Sequence, residues 1–219
     1  MVPTPPKRKR DIAVAIRSAL GQLCVMDVID LVAQVRDHFL NQFGAFVERQ
    51  QELCPFGSPE VKLQLSETSG VYQRLYCVDF IKPAEEDDED DEAESEGGVV
   101  EFQPEFFLEF EPTSGGFGAM AVTIEELRWH DVVFYHDLPK LPDELIAQWF
   151  EAWFDPEDER YDPESRFAGI IHTLLLDYGE VSVDFGTAPV EAFWDMLELL
   201  EASGAKNVRI ACADEETDA

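Results

Sequence analysis

Positive charge is what this chain has least of. Its 16 lysines and arginines stand against 47 aspartates and glutamates, a formal net charge of -31 at pH 7. A field of that sign repels nucleic acid and anionic membranes and draws in cationic partners. The expected partner is therefore a basic protein surface, with no direct contact to nucleic acid or membrane. Much of the acidity lies in a single run, whereas adaptation to high salt spreads acid over a whole surface.

Cysteine is sparse as well. Cys24, Cys54, Cys77 and Cys212 are far apart, with no CxxC pair and no metal-type spacing. Each sits in apolar sequence, so buried reduced thiols and a cytoplasmic location are expected. Long apolar runs are missing too: none reaches the roughly 18–20 residues that a membrane helix needs. The opening MVPTPPKRKRD is followed by residues broken up by Arg17, Gln22, Asp27 and Asp30, unlike a secretory signal.

Chemical motifs complete the absences. There is no triad-type serine motif, no HExxH, no clustered Cys/His ligands and no Gly-rich phosphate loop. Residues 113–118, TSGGFG, read as a turn instead. No cofactor is expected. Catalytic groups can be distant in sequence, so an enzyme remains the alternative to a binding protein.

What is present begins with residues 99–112, VVEFQPEFFLEFEP. Phe102, Pro104, Phe106, Leu108 and Phe110 alternate with Glu101, Gln103, Glu105, Phe107, Glu109 and Glu111. Alternation at period two predicts a β-strand with an apolar face inward and carboxylates outward. Its prolines cannot donate to a ladder, which places it at a sheet edge or splits it in two. Glu101, Glu105, Glu109 and Glu111 are candidate contacts for a cationic partner.

Taken in order, residues 1–10 read as a disordered basic tail ending in Lys7-Arg8-Lys9-Arg10. Asp11 is placed to cap a short helix expected after it. A long amphipathic helix is expected from about Met26 to Leu53, weakened at Gly44 and closed by Pro55 and Gly57. Strands follow at 60–66 and 71–81, the second apolar at both parities and hence central, covered on both faces. Residues 84–98, AEEDDEDDEAESEGG, hold nothing that can enter a core and read as a disordered acidic loop inserted between paired strands.

Strands are expected at 120–125 and 127–136. The second carries Trp129-His130-Asp131 and Tyr135-His136-Asp137. His130, Asp131, His136 and Asp137 are weak metal or acid–base candidates. An unbroken strand would hold the two histidines on one face but about 20 Å apart, too far for one ion. A helix at 141–154 presents Trp149 and Trp153, which serve either the core or a binding hot spot. The last part reads as strand, strand, helix, strand: 167–178, 181–185, 188–202 and 208–212, with His172 and Asp184 able to meet across the hairpin. Residues 214–219 read as an acidic tail.

The fold expected is α+β: one domain over 11–213, a mostly antiparallel or mixed sheet with amphipathic helices on it. The function expected is binding and regulation through a basic partner, of the nucleic-acid-mimic or toxin-neutralising type. The alternative is an enzyme or metal-binding protein using dispersed His and Asp residues. Because the acidic run buries nothing, replacing 85–96 with a short Gly/Ser turn should shift the melting temperature by no more than a few degrees. Loss of cooperative thermal unfolding would show that the run belongs to the fold.

Overall fold

The structure, a computed structural model, describes residues 25–83 and 98–213. The basic segment 1–10, the helix expected from Asp11, Cys24, the run 84–97 and the tail 214–219 lie outside the described residues. Helix α1 (Val25–Leu53) is continuous. Val32, Val35, Phe39, Phe43 and Val47 recur at three or four residues and are buried as one stripe. No kink forms at Gly44, whose missing side chain leaves room for the Arg166 guanidinium.

Two sheets follow. The first holds β1 (Ser58–Gln64), β2 (Leu75–Lys82) and β3 (Gly98–Val100), antiparallel, with β2 in the middle as its apolar content requires. The run 84–97 therefore joins two paired strands, Phe80 facing Val100 and Lys82 facing Gly98. The second sheet contains β4 (Thr113–Phe117), β5 (Met120–Ile124), β6 (Val132–His136), β7 (Thr173–Asp177), β8 (Glu180–Asp184) and β9 (Asn207–Ala211). Its order is β4-β5-β9-β6-β8-β7, mixed because β5 and β9 run parallel. Helices α2 (Asp143–Phe154) and α3 (Val190–Ala202) complete an α+β fold. The closing β7-β8-α3-β9 segment follows the expected order. Among the described residues no helix is long and apolar enough to cross a membrane.

Several expectations change. TSGGF is strand β4, and the turn comes at Gly118, where φ is +58°. The strand expected over 127–136 begins only at Val132; an Asp131 N–H to Arg128 carbonyl bond of 2.9 Å folds the preceding residues into a turn. Residues 167–172 are irregular, and strand geometry starts at Thr173.

The largest correction concerns 101–112, which is in no sheet. Its alternation survives: Phe102, Pro104, Leu108 and Phe110 are half-buried, while Glu101, Gln103, Glu105, Glu109 and Glu111 are exposed. Phe107 is exposed with the odd positions, and Phe106, also exposed, breaks the pattern. With prolines at 104 and 112, the segment lies as an extended strap across α1. Side chains replace the missing ladder. Gln42 donates to the Phe106 carbonyl at 2.9 Å and accepts from the Glu105 and Phe106 N–H groups at 3.1 and 3.3 Å. His38 Nε2 lies 3.0 Å from the same carbonyl. Below, the Phe102 ring packs on Phe39, Phe43 and Phe46 with centroids 5.2–5.6 Å away.

Gln42→Ala should accordingly leave the helix intact, loosen the strap and cost about 1–2 kcal/mol in urea denaturation, since three partly hydrated bonds are lost. An unchanged denaturation midpoint would show that the ring contacts alone hold the strap.

Candidate functional site

The strap starts over a buried ionic cluster. His172 precedes β7, and the residue is 1% exposed. Nε2 lies 3.2 Å from Glu60 Oε1 on β1, and Nδ1 lies 3.1 Å from Asp79 Oδ1 on β2. Asp184 Oδ2, at the end of β8, lies 4.0 Å from the same Nδ1. A neutral imidazole carries one N–H, and both nitrogens here face carboxylates. The geometry is that of an imidazolium donating twice.

Each carboxylate has further partners. Glu60 accepts from the Thr187 hydroxyl and, through Oε2, from the Ala168 N–H at 2.8 Å. Asp79 Oδ2 accepts from the Phe102 N–H at 2.7 Å, which ties the cluster to the strap. Asp184 Oδ1 accepts from the Gly186 N–H at 2.8 Å. Backbone bonds bring the two sheets together at this point: Cys77 N–H donates to the His172 carbonyl, and His172 N–H to the Asp184 carbonyl, both at 2.8 Å.

The cluster is bought with strain. Pro59 pairs with Phe80 and Val61 with Val78, so Glu60 and Asp79 occupy facing positions. Like charges there repel unless a cation lies between them. Glu60 also takes φ +49°, a left-handed conformation uncommon for a residue with a side chain. Gly186, at φ +46°, packs so closely that a Cβ would fall 2.1 Å from His172 Cδ2. Phe43 closes the α1 side, edge-on to the ring at 5.8 Å.

Burial alone would push the His172 pKa down. Its hydrogen bonds to the Asp79 and Glu60 carboxylates and the Asp184 charge outweigh it and hold the group well above 6.5. Burial pushes the Cys77 thiol up to about 12, so it is neutral at ordinary pH and the carboxylates hold the charge. Burial likewise raises Asp184 from 3.8 to about 7, against the pull of His172, although 29% of its side chain stays open.

The other candidates do not assemble. His130 stacks between Phe39 and Phe107 at 5.9 and 5.7 Å, and burial lowers its pKa despite Asp131 beside it. Asp131 accepts from the Ala213 N–H at 3.2 Å. His136 closes β6, where burial lowers its pKa and Nδ1 accepts from the Leu138 N–H at 3.3 Å. Asp137 takes bonds from the Lys206 N–H at 3.0 Å and the Asn207 amide at 3.2 Å, the first of which chiefly lowers its pKa. All four serve turns and stacks. Trp149 is 5% exposed and donates to the Ala192 carbonyl at 3.2 Å, so it joins α2 to α3 and offers no surface to a partner. Trp153 is half-buried under Arg160, 5.6 Å from its ring. Cys77 and Cys212 are buried free thiols, and Cys54 is partly buried.

Among the described residues no group of three or more His, Cys, Asp or Glu side chains is placed to hold a metal ion. At His172, Glu60 faces Nε2 while Asp79 and Asp184 face Nδ1, so the three carboxylates do not converge on one point.

Comparison of the chain with protein-family models, curated proteins and solved structures finds no match. The site must speak through its own geometry.

Replacing His172 by glutamine should cost about 3–5 kcal/mol at pH 6, because it leaves facing carboxylates without their cation. A raised histidine pKa contributes stability that is complete below about 6.5 and fades as pH climbs through the folded-state value. The deficit of His172→Gln should therefore shrink between pH 6 and pH 10 in urea denaturation. A deficit independent of pH would mean that the ring serves by shape alone.

Proposed function

We propose that the protein is a cytoplasmic binding and regulatory module that engages a basic surface on a protein partner, as a nucleic-acid mimic or toxin-neutralising protein does. The observation that carries this is the strap. Phe102, Leu108 and Phe110 pack against the core, and Glu101, Glu105, Glu109 and Glu111 stay exposed. Among the described residues no lysine, arginine or histidine forms an ion pair with any of the four. Within the described residues the row's charge is therefore left for another cation, and the whole chain carries a formal charge of -31. Buried free thiols suit a reducing compartment. The alternative, an enzyme built on dispersed His and Asp residues, has less support: the one charged histidine cluster is sealed, with His172 1% exposed.

Attraction of this kind speeds association and weakens as salt shortens the Debye length from about 10 Å at 0.1 M towards about 3 Å at 1 M. With a basic partner recovered from lysate, replacing the four glutamates by glutamine should slow association about tenfold at 0.1 M salt. The melting temperature should hardly move, because all four are exposed. Equal association rates for the two forms, or rates indifferent to salt, would make the row a solvated face and nothing more.

A further inference from the structure

The carboxylates around His172 differ in what they can do once the ring loses a proton. Glu60 is sealed in, with 4% of its side chain exposed, and holds bonds from Thr187 and Ala168 besides the ring. Asp79 and Asp184 are 16% and 29% exposed and face Nδ1 together. Deprotonation at Nε2 would aim a lone pair at a carboxylate that cannot turn to water. Deprotonation at Nδ1 aims it at two that can. The proton therefore leaves from Nδ1 to bulk water, past the open edges of Asp79 and Asp184. Asp79 then gains more from solvent than from the ring, and its other oxygen holds the Phe102 N–H at the root of the strap.

We propose that the Nδ1 proton of His172 is a latch: while it is present Asp79 holds the strap on the core, and its loss frees the strap while the six-stranded sheet stays folded. Glu60 comes from β1, Cys77 and Asp79 from β2, Asp184 from β8, and α1 contributes the uncharged ring of Phe43. Asp131 acts on Asp184, and His130, kept neutral by burial, lies near Asp79. Release rises with pH, since the carboxylates favour the protonated ring. The latch stands on this geometry alone. Its consequence, that pH sets how the row from Glu101 to Glu111 is presented, rests on the function proposed above.

The experiment uses the full chain with no partner, so its outcome is separate from that of the binding test. Phenylalanine and histidine carrying ¹³C in their rings are followed by NMR from pH 6 to pH 10. The His172 ring should titrate with a midpoint above 6.5, and cross-peaks from Phe102 to Phe39 and Phe43 should vanish at that midpoint. Cross-peaks between Phe134 and Phe193, whose rings are 5.4 Å apart in the second sheet and α3, should persist. Asp79→Asn removes one charge from Nδ1 and should move both midpoints down together by about one unit, a tenfold loss of proton affinity. The latch is overturned by a midpoint at or below 6.5, by Phe102 contacts that outlast the titration, or by simultaneous loss of the Phe134–Phe193 contact.

Discussion

An imidazolium held between facing carboxylates is the constraint on which the first half of the molecule depends. Two sheets, a helix and the strap meet at His172, and the meeting is electrostatic where the surroundings are apolar. Burying charge is costly, and it is tolerated when partners and hydrogen bonds are complete. Here they are: each ring nitrogen has a carboxylate, and Glu60, Asp79 and Asp184 each accept further bonds. The left-handed backbone at Glu60 and the tight glycine at 186 are the local concessions. Removing the cation would turn both into liabilities at once.

The strap shows how one periodicity supports two structures. Alternation at period two specifies an extended backbone, and a ladder is only one way to satisfy its polar groups. Prolines at 104 and 112 weaken the ladder option, and Gln42, His38 and Asp79 supply bonds from outside. The strap keeps exposed acid along its length. The recognition proposed for it rests on that row, and its tie to Asp79 joins the strap to the buried charge.

Much of this was legible in the residues. The stripe of α1, the central place of β2, the pairing across the acidic run and the closing β7-β8-α3-β9 order follow from periodicity and punctuation. The meeting of His172 with Asp184 across the hairpin was also readable. Asp79 carried a usable signal, since an acid within a strand apolar at both parities must be buried and paired. Glu60 carried none: beside Pro59 it looks like any outward residue, and only the φ of +49° turns it inward. The histidines at 130 and 136 misled because their repeated His-Asp pairs resemble ligands, whereas the turn at Arg128 and Asp131 separates their surroundings. Trp149 could not be assigned to core or surface until α3 was placed against α2.

The protonation state of His172 can be observed directly. With ¹⁵N in the histidine rings, long-range ¹H–¹⁵N correlation at pH 7 reports both nitrogens of His172. Two protonated nitrogens are expected, the signature of an imidazolium at a pH where an ordinary histidine is mostly neutral. An unprotonated Nδ1 or Nε2 at pH 7 would contradict it, and the cluster would then be a neutral hydrogen-bonded knot.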